Sequence, residues 1–476
     1  MMGFNPGTFT SKTLTVSPGQ PLTGESGRSG CPAIPGDKSL SHRAILFAAL
    51  AQGESVVEHL LVSGVTQAML NAMTALNIPW QLDGERLTLQ GAGVIRDRSA
   101  EAIHPVTLNC GNSATTLRLL AGALAAWARP AVLTGSEGLR RRPMNRIVDP
   151  LQQMGVDIQA QQGCAPLMMG ASQLPLRGMS HSLKVASAQV KSCLMLAALS
   201  ADGPTTIFEP GPSRDHSERM LSSMGVRIQN GKGSLSELEN SLKSSPLYFT
   251  KIWPVSPGEL QPLQLRLPGD FSAAAFIIVA ALVTSGSKVR LNGVGLNPTR
   301  TGLLDALLAM GAKIDILNQT EQQGEPVGDL LIRHSVLHAI DVSGDQVVRM
   351  IDEFPAFAVA AAFAQGRSQV RDAQELRLKE SDRISALCGE LRKLGIKAAE
   401  REDGFEIEGG HLPSGGVVEP HGDHRLAMSL ALCGLASQNP VQVRQAEIIN
   451  ESFPDFFRFL TSLGAQVSFQ EDEKKD

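Results

Sequence analysis

One kind of segment recurs six times along the chain, and this repeat constrains the fold more than any other feature of its 476 residues. Each copy is a polar turn, usually with Gly, that runs into a small-residue apolar helix. The copies read "PGDKSLSHRAILFAAL" from Pro35, "CGNSATTLRLLAGAL" from Cys110, "VASAQVKSCLMLAAL" from Val185, "PGDFSAAAFIIVAAL" from Pro268, "MIDEFPAFAVAAAF" from Met350 and "HGDHRLAMSLALCGL" from His421. A second element is interleaved: an amphipathic helix ending in Leu or Met, then Gly, then a short alternating strand. It reads "LQQMGVDI", "LSSMGVRI", "LLAMGAKI", "LRKLGIKA" and "LTSLGAQV", with a degenerate first copy "MTALNIPW". The Gly suits a left-handed helix C-cap, and the alternation after it suits a half-buried strand. Units of about 75 residues are too small to be secure alone, so the pattern predicts an α/β chain grouped into two lobes of three units. Helices entered through Gly, Ser, Asp or Asn turns point free N–H groups and positive dipole ends at one region, which predicts a shared anion site.

Because 43 Lys and Arg nearly balance 47 Asp and Glu, the charge gives no reason to expect a nucleic acid or an anionic membrane as partner. The longest apolar stretches, such as "FIIVAALV" from Phe276, are too short to span a bilayer. The six cysteines form no C-x-x-C pair, and Cys193, Cys388 and Cys433 sit in apolar runs, which reads as reduced thiols in a cytoplasm. The first thirty residues lack an apolar signal core and read as a polar extension.

Charged residues collect at the helix starts: Lys38, Arg43, Arg118, Arg142, Lys191, Arg214, Asp352, Lys379, Glu380, Arg383 and Arg425. So many cations call for a multiply anionic ligand, most simply phosphate and carboxylate together, which Arg forks match bidentately. Among them Asp352 and Glu380 are the proton-transfer candidates, because surrounding cations keep a carboxylate ionised. "HSVLH" at His334 lacks the glutamate of a zinc protease helix, and "HGDH" at His421 sits in a Gly turn, so no metal is expected. Neither phosphate loop of the nucleotide-binding folds is present, and no cofactor is expected.

The stretches "PGDKSLSHR", "CGNSATTLRL", "RRPMNR", "ASAQVKS", "SRDHSERML", "PGDFSAAAF", "NPTRTG", "MIDE", "LKESDR", "GDHRLAMS" and "SFPDF", in this order over about residues 30 to 468, resemble the 5-enolpyruvylshikimate-3-phosphate synthase family. "ASAQVKS" and "SRDHSE" are similar to its class II subgroup. The resemblance implies a two-lobed enolpyruvyl transferase fold, an inside-out α/β barrel of six βαβαββ repeats with three per lobe, residues 36–267 forming one lobe and 1–35 plus 268–476 the other. It implies transfer of the enolpyruvyl group of phosphoenolpyruvate to the 5-hydroxyl of shikimate 3-phosphate, through a tetrahedral ketal, with release of phosphate. Carried over by motif, Lys38, Ser39, Arg43, Ser187, Gln189, Arg214, Asp352 and Lys379 would hold shikimate 3-phosphate, and Lys38, Asn112, Arg142, Gln189, Arg383 and Arg425 phosphoenolpyruvate. Asp352, Glu380 and Lys38 would move the protons. The resemblance also implies a cytoplasmic monomer without a cofactor.

Three positions depart from the family pattern: Val65 where an acidic residue starts the first interleaved helix, Ala273 in place of a second Ser, and Glu451 where many relatives carry Lys. Ala114 stands where many relatives have Gly; its methyl would narrow the pocket beside phosphoenolpyruvate and disfavour the longer inhibitor glyphosate. The sister reaction, on UDP-N-acetylglucosamine, expects a Cys before the "RP" dipeptide, and "SEGLRRRPM" has none. A non-catalytic anion-binding relative is the remaining alternative.

Overall fold

The computed structural model describes residues 12–28, 30–94, 104–233 and 247–471. The six repeat helices are Lys38–Leu50, Ala114–Ala126, Ala188–Ala198, Phe271–Val283, Phe354–Phe363 and His424–Cys433. They are apolar on nearly every face, and all thirteen residues of Phe271–Val283 are buried. Helices of that kind belong in the middle of a protein. Within each group of three they pack on one another. The interleaved helices are Gly64–Ala75, Asn145–Gln153, His216–Ser223, Gly302–Ala309, Arg383–Lys393 and Phe456–Ser462. Asn145–Gln153 buries only Ile147, Val148 and Leu151, the single stripe of a helix at the periphery.

Six four-stranded sheets flank these helices, and each contains one parallel and two antiparallel pairings. In the unit around Ala114–Ala126, Val106–Asn109 runs parallel to Ala131–Thr134, and the hairpin Ile158–Gln161 and Cys164–Met169 completes the sheet. That is the βαβαββ order that the resemblance implies.

Three sheets draw a strand from far along the chain. Gln264–Arg266 pairs in parallel with Gln52–Glu58 and closes the first sheet. Thr23–Glu25 pairs in parallel with Lys288–Gly295. Lys12–Ser17 lies between Val441–Val443 and Gln466–Glu471, antiparallel to both. The first thirty residues are therefore not a polar extension from Lys12 onward; residues 1–11 lie outside the described residues. Leu14 and Val16 are fully buried, so Lys12–Ser17 carries an inward row beneath its polar composition.

Buried apolar side chains form two clusters, one drawn from Leu40 to Leu267 and the other from Leu14 to Ile34 and Phe271 to Ala465. The chain passes between them twice, and the two crossings lie side by side. Gly36 bridges Gly269, Asp37 N donates to Pro268 O at 3.0 Å, and Asp270 N donates to Pro35 O at 2.8 Å. A Cβ on Gly36 would collide with the carbonyl oxygen of His59, so only glycine fits at this crossing. Among the described residues no helix is long and apolar enough to cross a membrane.

Candidate active site

Side-chain caps fix where the repeat helices begin, and so where their first residues point. Asp37 accepts from Leu40 N, Ser113 from Thr116 N, Asp270 from Ser272 N and Asp423 from Arg425 N. Between the first two of these caps and the last two, at the mouth of the crossings, charged side chains from both clusters meet.

Asp352, just before the helix Phe354–Phe363, is the hub. Its carboxylate is 2.8 Å from Arg214 Nη1, 3.5 Å from Lys379 Nζ, 3.5 Å from Arg383 Nη1 and 3.8 Å from Arg425 Nη2. Arg425 Nη1 also donates to the Asp352 carbonyl at 3.2 Å. Glu380 is the second carboxylate, 2.7 Å from Arg383 Nη2 and 3.3 Å from Arg142 Nη2. Arg214 and Arg142 belong to the 36–267 segment and their carboxylate partners to the later one, so both ion pairs join the two segments.

Burial alone would raise both carboxyls. For Asp352 the cations Lys379, Arg214, Arg425 and Arg383 outweigh it and hold the group well below the ordinary carboxylate range. The cations Arg383, Arg142 and Lys38 do the same for Glu380. Burial pushes the Lys38 ammonium below its ordinary value; Arg425 adds to this, and Glu380, Asp352 and Asp270 offset part of it. Burial likewise lowers Lys379, against the opposing pull of Asp352. Arg383 is raised, because Asp423, Glu380 and Asp352 outweigh its burial.

The cations exceed what these two carboxylates satisfy. Arg214 Nε and Nη2 and Arg383 Nη1 are buried without a hydrogen-bond partner. Buried unpaired donors are costly, and an entering anion would satisfy them.

The other expected site residues stand at the starts of the repeat helices or brace them. Lys38 is the first residue of its helix, and its N–H donates to Asp270 Oδ2 at 2.9 Å. Asn112 accepts from Ser136 Oγ at 2.9 Å. Gln189 bonds Arg118 and Thr115, and Ser187, two residues before it, is the N-cap residue, its N–H held by Glu209. Arg43 is buried and donates to the Ser39 carbonyl and to the hydroxyls of Ser192 and Ser217, so it braces Ser39 from behind. Lys191 does not belong to the anion site: its ammonium is buried 2.7 Å from Glu218 and 2.9 Å from Glu209, an internal ion triad.

The chain has relatives of known activity. Residues 23–460 match the family model described as EPSP synthase (3-phosphoshikimate 1-carboxyvinyltransferase). The chain is 43% identical to the 3-phosphoshikimate 1-carboxyvinyltransferase of Geobacter metallireducens, over 96% of this chain and 100% of that one. It is also 43% identical to that of Geotalea uraniireducens, over 94% and 98%. The solved EPSP synthase of Acinetobacter baumannii superposes with a TM-score of 0.80 at 36% identity, covering 96% of this chain and 100% of that chain. The chain belongs to the EPSP synthase family. It has that family's fold, six βαβαββ units, and it is a transferase of the shikimate pathway, a 3-phosphoshikimate 1-carboxyvinyltransferase.

Within this EPSP synthase cleft four residues escaped the sequence reading. Asp423 grips Arg383 Nε at 2.7 Å from a fully buried position. Arg300, 2% exposed, reaches Asp37 and Asp270 at 2.7 Å each and so ties together the caps of two repeat helices, one from each cluster. "NPTRTG" contains Arg300, but nothing in the string marks it as buried. His424 is buried with neither ring nitrogen hydrogen-bonded, and its Nδ1 is 3.5 Å from Glu451. Glu451, noted in the sequence only as a departure, faces the cleft here. Of the motifs turned down for a metal, His421 bonds Glu390, and His334 bonds the carbonyl of Leu282.

Proposed function

We propose that the cleft binds shikimate 3-phosphate and phosphoenolpyruvate side by side, with the residue roles assigned by motif. The observation that carries this reading is Asp352, approached by cations from both sides of the cleft, with unsatisfied Arg214 and Arg383 donors beside it. Ser39, Ser187, Gln189, Arg214 and Lys379 hold shikimate 3-phosphate, and Arg43 acts through Ser39. Asn112, Arg142, Arg383 and Arg425 hold phosphoenolpyruvate, with Lys38 and Gln189 between the two. Each of the two buried clusters is one lobe, and the crossings beside Gly36 and Gly269 are the hinge.

Asp352, ionised by its neighbours, accepts the proton of the 5-hydroxyl as that oxygen adds to C2 of phosphoenolpyruvate, while C3 takes a proton that Glu380 relays from solvent and becomes a methyl group. The tetrahedral ketal phosphate then loses a C3 proton to Glu380, and the C2–O bond to phosphate breaks with a proton supplied from Lys38. The lowered Lys38 pKa makes it a better acid than an ordinary ammonium, and the cations stabilise the oxyanions. The enzyme acts as a class II-like monomer in the cytoplasm, a reading supported by "ASAQVKS" and "SRDHSE" and by six unpaired cysteines.

The test follows phosphate release from phosphoenolpyruvate with shikimate 3-phosphate or UDP-N-acetylglucosamine as acceptor, in the parent and in Asp352→Ala. Turnover with the first acceptor only, lost in the variant by about 10²-fold or more, is the expected result. An unchanged Asp352→Ala rate would overturn the role of the hub.

A further inference from the structure

One buried carboxylate, Glu209, ties together two stretches of the chain that carry proposed shikimate 3-phosphate ligands. It ends the strand Thr205–Glu209 and is 2% exposed. Its Oε1 accepts from the N–H of Ser187 at 2.9 Å, and its Oε2 accepts from the hydroxyl of Ser213 at 2.8 Å. Ser187 opens the stretch that continues to Gln189, and Ser213 directly precedes Arg214. The two oxygens of a single rigid carboxylate therefore fix the spacing between these stretches.

The carboxylate is itself anchored. Lys191 Nζ lies 2.9 Å from Glu209 Oε2, 2.7 Å from Glu218 Oε1 and 3.4 Å from the carbonyl oxygen of Ser213. Ser213 is thus held at its hydroxyl by Glu209 and at its carbonyl by Lys191. Arg43 joins the helices Ala188–Ala198 and His216–Ser223 a second time, through the hydroxyls of Ser192 and Ser217. The backbone before Arg214 is fixed in this way, while the Arg214 guanidinium pairs with Asp352 at 2.8 Å and keeps Nε and Nη2 unpartnered. An Arg side chain gives up rotamer freedom when it docks an anion, and fixing its backbone beforehand removes part of the ordering cost.

We propose that Glu209 is a positioning residue for the acceptor: by holding Ser187 and Ser213 on one carboxylate, it presets Ser187, Gln189 and Arg214 to the spacing at which shikimate 3-phosphate binds. This rests on the functional reading above. Glu209 acts through the two stretches it holds, and Lys191 keeps its carboxylate in place. A glutamine at this position has one acceptor oxygen and a donor amide instead of the second, so it cannot accept from Ser187 and Ser213 and also face the Lys191 ammonium. Groups proposed for phosphoenolpyruvate take their partners elsewhere: Arg142 pairs with Glu380, Arg383 with Asp423 and Asn112 with Ser136. Loosening Glu209 therefore falls on the acceptor and spares the donor.

The experiment measures shikimate 3-phosphate binding by calorimetry and the KM of each substrate in the full chain, for the parent, Ser213→Ala, Glu209→Gln and the double variant, with thermal melts beside them. Each single variant is expected to weaken shikimate 3-phosphate by about tenfold, the size of one charge-assisted hydrogen bond, while KM for phosphoenolpyruvate at saturating acceptor stays as in the parent. The double variant is expected to bind no worse than Glu209→Gln, because the hydroxyl and the carboxylate form one link. A lower Tm with unchanged acceptor affinity in both single variants would make the triad a brace of the fold and overturn the proposal. Equal losses for the two substrates, or losses that add in the double variant, would also overturn it. If Glu209→Gln does not fold, Ser213→Ala decides alone, since it leaves Lys191 with both of its carboxylates. A parent that binds no shikimate 3-phosphate would instead refute the functional reading on which the proposal stands.

Discussion

Arg300→Met is the substitution expected to damage the molecule most without touching substrate. Arg300 Nη1 and Nη2 reach Asp37 Oδ2 and Asp270 Oδ1 at 2.7 Å, and Nη2 also donates to Ser272 Oγ at 2.8 Å. Methionine matches the length of the stem but leaves two buried carboxylates facing each other at the lobe crossing. Breaking a buried pair from one side costs about 3 to 5 kcal/mol. For a cooperative unit of roughly 150 to 250 residues that corresponds to a loss of roughly 6 to 20 °C in Tm. The pH dependence sharpens the test. Burial tends to raise Asp270, but Arg300, the Lys38 N–H, Arg425 and Lys38 outweigh it and lower the group. A depressed carboxyl contributes stability above its unfolded pKa of about 3.9 and loses it as pH falls through the folded value. Without Arg300 the Asp270 pKa rises, so the gap between parent and variant is widest near neutrality and narrows as the solution is acidified. Thermal melts of both proteins at about pH 7 and about pH 4.5 check this. A loss below about 1 kcal/mol, or a gap independent of pH, would refute the account of the crossing as an electrostatic tie.

Lys38→Met is expected to fold and to lose turnover by several orders of magnitude, about 3 to 5 kcal/mol or more of transition-state stabilisation; normal turnover would remove Lys38 from the chemistry. Because the Lys38 pKa is lowered, the parent's rate is expected to decline on the alkaline side well before an ordinary ammonium would titrate, and Lys38→Arg is expected to lack that limb in a pH–rate profile. Ala114, buried at the first position of its helix, is expected to weaken glyphosate by roughly 5- to 150-fold, so Ala114→Gly should become sensitive with little change in KM for phosphoenolpyruvate; coincident inhibition curves would exclude it from the inhibitor's pocket. Saturating shikimate 3-phosphate is expected to shrink the radius of gyration in X-ray scattering, and an unchanged radius would mean that the Arg142–Glu380 and Arg214–Asp352 pairs hold the cleft shut unaided.

The repeat made the fold legible because its signals are local. A cap such as Asp37 or Ser113 and an all-apolar helix behind it can be read from a dozen residues. Lys12–Ser17 was missed because its two buried side chains, Leu14 and Val16, have partners more than 400 residues away, and "KTLTVS" alone is too polar to separate from a loop. At the site, residue type gave the cations and Asp352, but not which of them face one another. Lys191 looked like Lys38 in sequence and differs only through Glu209 and Glu218, which arrive from later in its unit. Glu451 could be noted as a departure; the upward shift of its carboxyl depends on burial and on Glu380 and Asp423, which only the folded chain brings together.

The borrowed strands impose a timetable on synthesis. The lobe closed by Gln264–Arg266 has all its strands once residue 266 has left the ribosome, and it can fold at once. Lys12–Ser17, made earlier, must wait for Gln466–Glu471 before its second edge is covered. At about 5 to 20 residues per second the remaining 200 or so residues take roughly 10 to 40 s. Until Val441–Val443 emerges, Leu14 and Val16 lie on a strand with both edges open, which is when a chaperone or another nascent copy has its best opportunity to capture this chain.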